Sequence, residues 1–259
     1  MHVPPLAPRP AQQTGLVPVG RANRTPTPQR NGLLRRYHVS SLNEAGHLTD
    51  FQRIAPALPV FEAAFSAFAR GSIVATDEGP VAVEDLMPGM NVQTACGDYA
   101  KLVWIGSTAH VPSQTRDGEH ARLTRISADS FGLGRPMPDL LLGPSARLFQ
   151  ENTKLSSQMG SKSACLPAAG FVDGETVISV TPVSSVQLFH LGFESQQIIH
   201  VNGLDCESYH PGATTDQIRT DEMLSVFLSL FPHCRTLEDF GPTEVPSLTL
   251  DEMERFHAA

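Results

Sequence analysis

Cysteine is scarce in this chain of 259 residues, and none of Cys96, Cys165, Cys206 and Cys234 forms a Cys-x-x-Cys pair. That spacing gives no support to a zinc knuckle or a thioredoxin-like redox site. A domain of this size buries enough surface to fold without cross-links, so the cysteines read as free thiols of a reducing compartment. No apolar run is long enough to span a bilayer, and none at the N-terminus has signal-peptide length. Arg35-Arg36 is followed by polar His38-Val-Ser-Ser-Leu-Asn-Glu44, where an export signal needs an apolar segment. The expected location is cytoplasmic, with export lacking a cleaved leader left open. A Gly-x-Ser-x-Gly elbow, a phosphate-binding glycine loop and a His-Glu-x-x-His pair are also absent. Gly132 and Gly134 beside Arg135 fit a loop, since no strand-to-helix unit surrounds them.

Acidic residues are missing from Met1 to Asn43, which carries six arginines, so the remainder holds −14 against a net charge of −8. Seven prolines fall within residues 1–33 without any period of 2 or 3.6, the composition of a disordered arm. Such a basic arm raises the possibility of nucleic-acid or membrane binding. Order is expected from Leu34. Tyr37–Leu42 and Leu48–Ile54, joined by turn-forming Asn43-Glu-Ala-Gly46, predict a hairpin. Apolar residues at 61, 64, 65 and 68 predict a short helix.

From Gly71 to Pro211, short runs rich in Val, Ile and Phe alternate with turn dipeptides. The runs are Val81–Val83, Asn91–Thr94, Leu102–Ile105, Leu140–Leu142, Arg147–Phe149, Thr176–Val180, Val186–Leu191 and Gln197–Val201. Many short strands with few helical periods predict a compact, mainly β fold. Ser127–Leu133 has helix-like character, and Glu151–Ser163 reads as a polar loop. After Pro211, apolar residues at 223, 224, 227, 228 and 231 mark a helical face, capped by Thr220 and ended by Pro232. Thr249-Leu-Asp-Glu252 has capping-box spacing for a last short helix. The expected organisation is an arm at 1–33, a hairpin and helix at 34–64, a β-domain at 65–212 and a helical extension at 213–259.

Several constellations invite chemistry. His190 and His200 would face each other if a hairpin turned near Ser195, which makes them candidate metal ligands; no third ligand falls at a fitting spacing, and no cofactor is expected. His210 reads as a turn residue. Asp77, Glu78, Glu84 and Asp85 read as a solvated rim, because Glu84 and Asp85 are adjacent and would point to opposite faces of a strand. Arg122, Arg125, Arg135 and Arg147 are too dispersed for a convincing nucleic-acid surface.

Four blocks carry a family resemblance: Phe68-Ala-Arg-Gly-Ser-Ile-Val-Ala-Thr76 with Val83-Glu-Asp-Leu-Met-Pro-Gly89; Val103-Trp-Ile-Gly106; Ile126–Gly132 with Arg135–Phe149; and Leu188–Phe193 leading to Ile198–Gly203 and Glu207–Gly212. In order and spacing they resemble the bacterial Hint domain, the self-processing β-fold of hedgehog proteins and inteins. The resemblance implies a cysteine four residues before Gly71, attacking the carbonyl that precedes it, and a histidine from a Thr-x-x-His block that protonates the departing nitrogen. Here Ala67 and Ala146 stand at those positions. Ser66 and Ser72 are weak substitutes, read as surface or turn residues, and serine is a poor nucleophile without a base. Splicing is not expected either, since a valine separates His200 from Asn202, and Asn202-Gly203 fits a hairpin turn. The expected function is a non-catalytic structural or interaction module whose partner is another protein; the alternative is an autoprocessing domain with a nonstandard nucleophile.

Overall fold

The computed structural model describes residues 33–43, 45–111, 122–151 and 161–258. The arm expected at 1–33 lies outside them except for Leu33, as does most of the loop expected at Glu151–Ser163. The described residues fall within one unit, Gly32–Ala259.

Alternation in the first ordered segment produces the predicted hairpin. β1 (Leu34–Leu42) and β2 (Leu48–Pro56) pair antiparallel without a break from Leu34↔Pro56 to Leu42↔Leu48. Asn43 shapes the turn through its Oδ1, which accepts from the N–H groups of Ala45 and His47. A short helix, α1 (Pro59–Ala63), follows, with Pro59 in its first turn, where a missing N–H costs nothing. The predicted helical face extends further than the helix itself: Phe61, Ala64 and Phe65 are all buried, while Phe68 enters a strand.

The hairpin is built into the larger fold. The first sheet contains β1, β2, β3 (Phe68–Ala69), β8 (Trp104–His110), β9 (Leu123–Ile126), β10 (Leu140–Leu142), β13 (Val177–Val180) and β14 (Val186–Gly192). Its order is β13-β9-β10-β3-β14-β8-β1-β2. The second contains β4 (Ile73–Thr76), β5 (Gly79–Ala82), β6 (Asn91–Gln93), β7 (Tyr99–Lys101), β11 (Arg147–Glu151), β12 (Ser163–Pro167), β15 (Ile198–Val201) and β16 (Leu204–Glu207). Its path runs β12-β11-β16-β15-β4-β6-β7, with β5 beside β4. The fold is mainly β, as the turn-punctuated pattern predicts.

One expectation fails locally. Ser127–Leu133 contains no helix. Asp129 adopts a positive φ of 62°, and Gly132 and Gly134 also lie at positive φ, a conformation incompatible with a right-handed helix. Asp129 instead turns the loop, its Oδ1 accepting from Gly134 N–H at 2.6 Å.

Two apolar clusters organise the interior. One includes Ala67, Phe68, Val74, Val92, Ile105, Leu142, Ala146 and Ile199 and so draws on both sheets. The other is aromatic, joining Tyr37, Phe61, Phe65, Trp104, Tyr209, Phe227, Phe231 and Phe240. Trp104, the single tryptophan, stacks on Phe231 with ring centroids 4.8 Å apart and donates from Nε1 to Leu230 O at 2.8 Å. A side chain at Gly106 would collide with the Trp104 and Phe65 rings. Helix α2 (Asp221–Leu228), capped by Thr220 as its sequence predicts, contributes Phe227. Of the predicted helical face, Phe227 and Phe231 are fully buried and Met223 packs partly, whereas Leu224 stays outside the cluster. The last helix, α3 (Leu250–Ala258), sets Met253 with Leu248 against Ala164 and Leu166 of β12.

Candidate functional site

Ala67 and Ala146, the two alanines expected at the family's catalytic positions, are brought into one buried region. Ala67 is fully buried and Ala146 is 2% exposed, both in the same apolar cluster. Backbone bonds close the segment around them. Ser145 N–H donates to Ser66 O at 3.1 Å, Gly143 N–H donates to Ala67 O at 2.7 Å, and Ala146 N–H donates to Gly143 O at 3.2 Å. Ala67 N–H donates to Phe189 O at 3.0 Å, and Ala146 O accepts from Ala168 N–H at 2.9 Å. The peptide joining residues 66 and 67 is therefore held on both sides by neighbouring backbone.

Gly143 occupies the threonine position of the Thr-x-x-His spacing, and motif spacing alone had not marked it as important. Any Cβ there would run into Ser66 carbonyl oxygen and carbon, and would crowd Leu188. Glycine permits this close approach; a side chain would force the Ser66 carbonyl to move. The contact is tertiary, which is why a local motif conceals it.

Both serines are buried, contrary to a surface placement. Ser66 donates from Oγ to Glu62 O at 2.7 Å, at the end of α1, and lies 3.1 Å from Ser145 Oγ. Ser72 is a turn residue, as expected, but a shielded one, donating to Ala69 O at 2.7 Å. Each hydroxyl proton is thus committed to a backbone carbonyl.

The proposed histidine pair does not form. β14 pairs with β3 and β8, so His190 lies opposite Gly106, whereas β15 pairs with β16 and β4, so His200 lies opposite Asp205. The two histidines belong to different sheets because the strands flanking Ser195 diverge instead of forming a hairpin. His190 is buried, with Nδ1 3.0 Å from Ala63 O at the end of α1. Burial pushes its pKa down to about 4, despite the opposing hydrogen bond to Ala63, so at neutral pH it is an uncharged donor. His200 Nδ1 lies 2.7 Å from Asp205, whose other oxygen meets Arg135 at 3.1 Å. His210 anchors a turn, with Nε2 3.1 Å from Gly241 O.

Glu84 of the expected rim accepts from Gly71 N–H at 2.8 Å and meets Arg70, bracing the first turn of the opening block. Asp77 accepts from Asn91 at 2.7 Å. Three of the four dispersed arginines are matched by carboxylates: Arg125 with Asp139, Arg135 with Asp205 at 3.1 Å and Arg147 with Glu207 at 3.7 Å.

Asn202 does more than its predicted turn. It and Gly203 both have positive φ between β15 and β16, the preference of a two-residue hairpin. Its backbone N–H donates to Ile73 O at 2.7 Å, while its Oδ1 accepts from Ile73 N–H at 2.6 Å. Its Nδ2 donates to Pro138 O at 3.0 Å. One side chain thereby ties the opening block to the loop before β10.

This two-sheet β architecture, with its opening strands folded against the Leu140–Ala146 segment, defines a Hint-type fold. A Hint domain family model matches residues 66–213, and the chain belongs to that family. No curated protein matches it in sequence. Among solved structures it is similar to a bacterial intein-like domain from Clostridium thermocellum, at 10% identity over 56% of this chain and 99% of that one, with a TM-score of 0.37. It is also similar to the MchDnaB-1 intein, at 13% identity over 55% of this chain and 100% of that one, with a TM-score of 0.35.

Proposed function

We propose that this Hint domain has lost self-cleavage and acts as a structural or protein-interaction module. The observation carrying the reading is that Ala67 and Ala146, the positions at which the resemblance expects a thiol and an imidazole, are buried in one apolar cluster. A methyl group supplies neither a nucleophile nor a proton, and the neighbouring Ser66 already donates to a helix-end carbonyl. Residues upstream of the junction support it further. In a processing domain they form the departing segment, whereas here β1 pairs with β8 from Tyr37↔Thr108 to Ser41↔Trp104. Residues 34–64 and 213–259 accordingly act with 65–212 as one module. Among the described residues, no helix is long and apolar enough to cross a membrane.

Intact mass of the purified, aged protein tests the proposal. A single species of 28.0 kDa is expected. Fragments separated between Ser66 and Gly71 would overturn it and favour processing through a nonstandard nucleophile.

A further inference from the structure

Among the described residues, the sheet carrying the upstream hairpin ends in a strand with one open edge. That strand is β2, which among the described residues is the last of its sheet and pairs only with β1. Asn43 N–H donates to His47 O at one end of the hairpin, and Ala57 N–H donates to Leu33 O at the other. Since bonded positions alternate along an antiparallel strand, residues 47, 49, 51, 53, 55 and 57 turn their backbone groups toward β1. Asp50, Gln52 and Ile54 therefore present N–H and C=O groups to the open side, and among the described residues no hydrogen bond reaches them. Apart from the charges of Asp50 and Arg53, the usual protections of an edge are missing among the described residues. β2 contains no lysine and no bulge, its single proline is its last residue, and Leu48 and Ile54 are 57% and 62% exposed. Such an edge is a template for another strand.

We propose that this edge pairs with β2 of a second copy, antiparallel, about a two-fold axis through Gln52. That register sets Asp50 opposite Ile54 of the second copy, Gln52 opposite itself and Phe51 opposite Arg53, using the whole strand. About six new backbone hydrogen bonds form, two for each bonded pair. Arg53 already lies over its own Phe51, 5.7 Å from the ring centroid, and the second copy supplies another such ring beside it. Neighbouring registers are poorer. Centring on Arg53 sets two guanidinium groups against each other, a destabilising like-charge pair, and centring on Phe51 shortens the overlap. Self-complementarity of the strand is what selects a second copy over an unrelated partner.

This names a partner for the interaction role proposed above and rests on that reading only in requiring the hairpin to stay attached. Intact mass tests attachment, and assembly mass tests the edge. Sedimentation equilibrium of the full chain should give twice 28.0 kDa, falling by half in Ile54→Asp, which sets like charges opposite Asp50 of the second copy, and in Gln52→Pro. The proline removes an N–H that points away from β1, and unchanged tryptophan emission verifies each variant's fold. Register is read by cross-linking in a Cys96→Ser background, because Cys96 is the exposed thiol and the other three are buried. Gln52→Cys should yield an oxidised dimer, since bonded pairs lie about 5.5 Å apart at Cα, within disulfide reach. Asp50→Cys and Ile54→Cys should not. A monomer at every concentration overturns the proposal, as does a dimer indifferent to Ile54→Asp or cross-linking that favours position 50 or 54.

Discussion

The carbonyl of Ser66 fills the space that a side chain on Gly143 would need. The peptide after Ser66, the expected cleavage junction, and the turn from Gly143 to Ala146 are thus fitted together at backbone distance. Even a methyl group at 143 must displace the chain at residue 66. Gly143→Ala should lower stability by about 1–3 kcal/mol, the usual range for overpacking a filled core, with the shift read as a lower urea midpoint at unchanged slope.

Restoring the family's reactive groups should not restore cleavage. In Ala67→Cys/Ala146→His the new side chains enter sites that are fully and almost fully buried, and the adjoining peptide remains fixed by Ser145 and Gly143. The double variant should stay a single species by mass spectrometry, with and without dithiothreitol. Appearance of a cut product would mean that the site has kept a working geometry.

Stability should depend on pH through two histidines. Burial pushes His190 and His233 down to about 4, from an ordinary value of 6.5. The folded protein keeps both neutral, whereas the unfolded chain takes up protons below 6.5. Their contribution is therefore complete above about pH 6.5, declines as pH falls, and is exhausted near pH 4. Each histidine contributes a slope of at most about 1.4 kcal/mol per pH unit inside that window. Urea titrations across it should show the decline, and His190→Gln should flatten it while retaining a donor toward Ala63.

Gln196 clasps the C-terminal segment. Its Nε2 donates to Glu207 Oε1 at 2.6 Å and Val245 O at 2.9 Å, while its Oε1 accepts from the N–H groups of Glu244 and Val245. Glu207 is 6% exposed. Gln196→Ala should cost about 1–3 kcal/mol, the range for stranding buried polar partners. Limited proteolysis should then cut residues 242–249 sooner than in the parent protein.

The parts that sequence resolved are those decided within a few residues. Asn202-Gly203 announces a tight turn, Thr220 announces a helix start, and alternation from Tyr37 to Leu42 announces a strand. Where pairing is decided at a distance, local signals mislead. His190 and His200 look like hairpin partners because nothing nearby shows that β14 turns to β8 while β15 joins β16. Ser127–Leu133 has helical composition, yet Asp129, Gly132 and the adjoining Gly134 bend the chain, and the residues after them, Arg135 to Pro138, meet Asn202 and Asp205. At the candidate site, sequence singled out Ala67 and Ala146, and the structure buries both in one cluster. The tight fit of Gly143 on Ser66 was not readable, because glycine carries no side-chain signature and its partner lies in another block.

Family similarity begins at residue 66, but the aromatic interior starts earlier, with Tyr37, Phe61 and Phe65 set around Trp104. A shortened chain cut to the matched limits would strip the indole of its cover and leave the flank of β8 raw. A unit for expression, crystallisation or fusion to a reporter therefore has to keep β1 and the helix after it, not only the block that the family model matches.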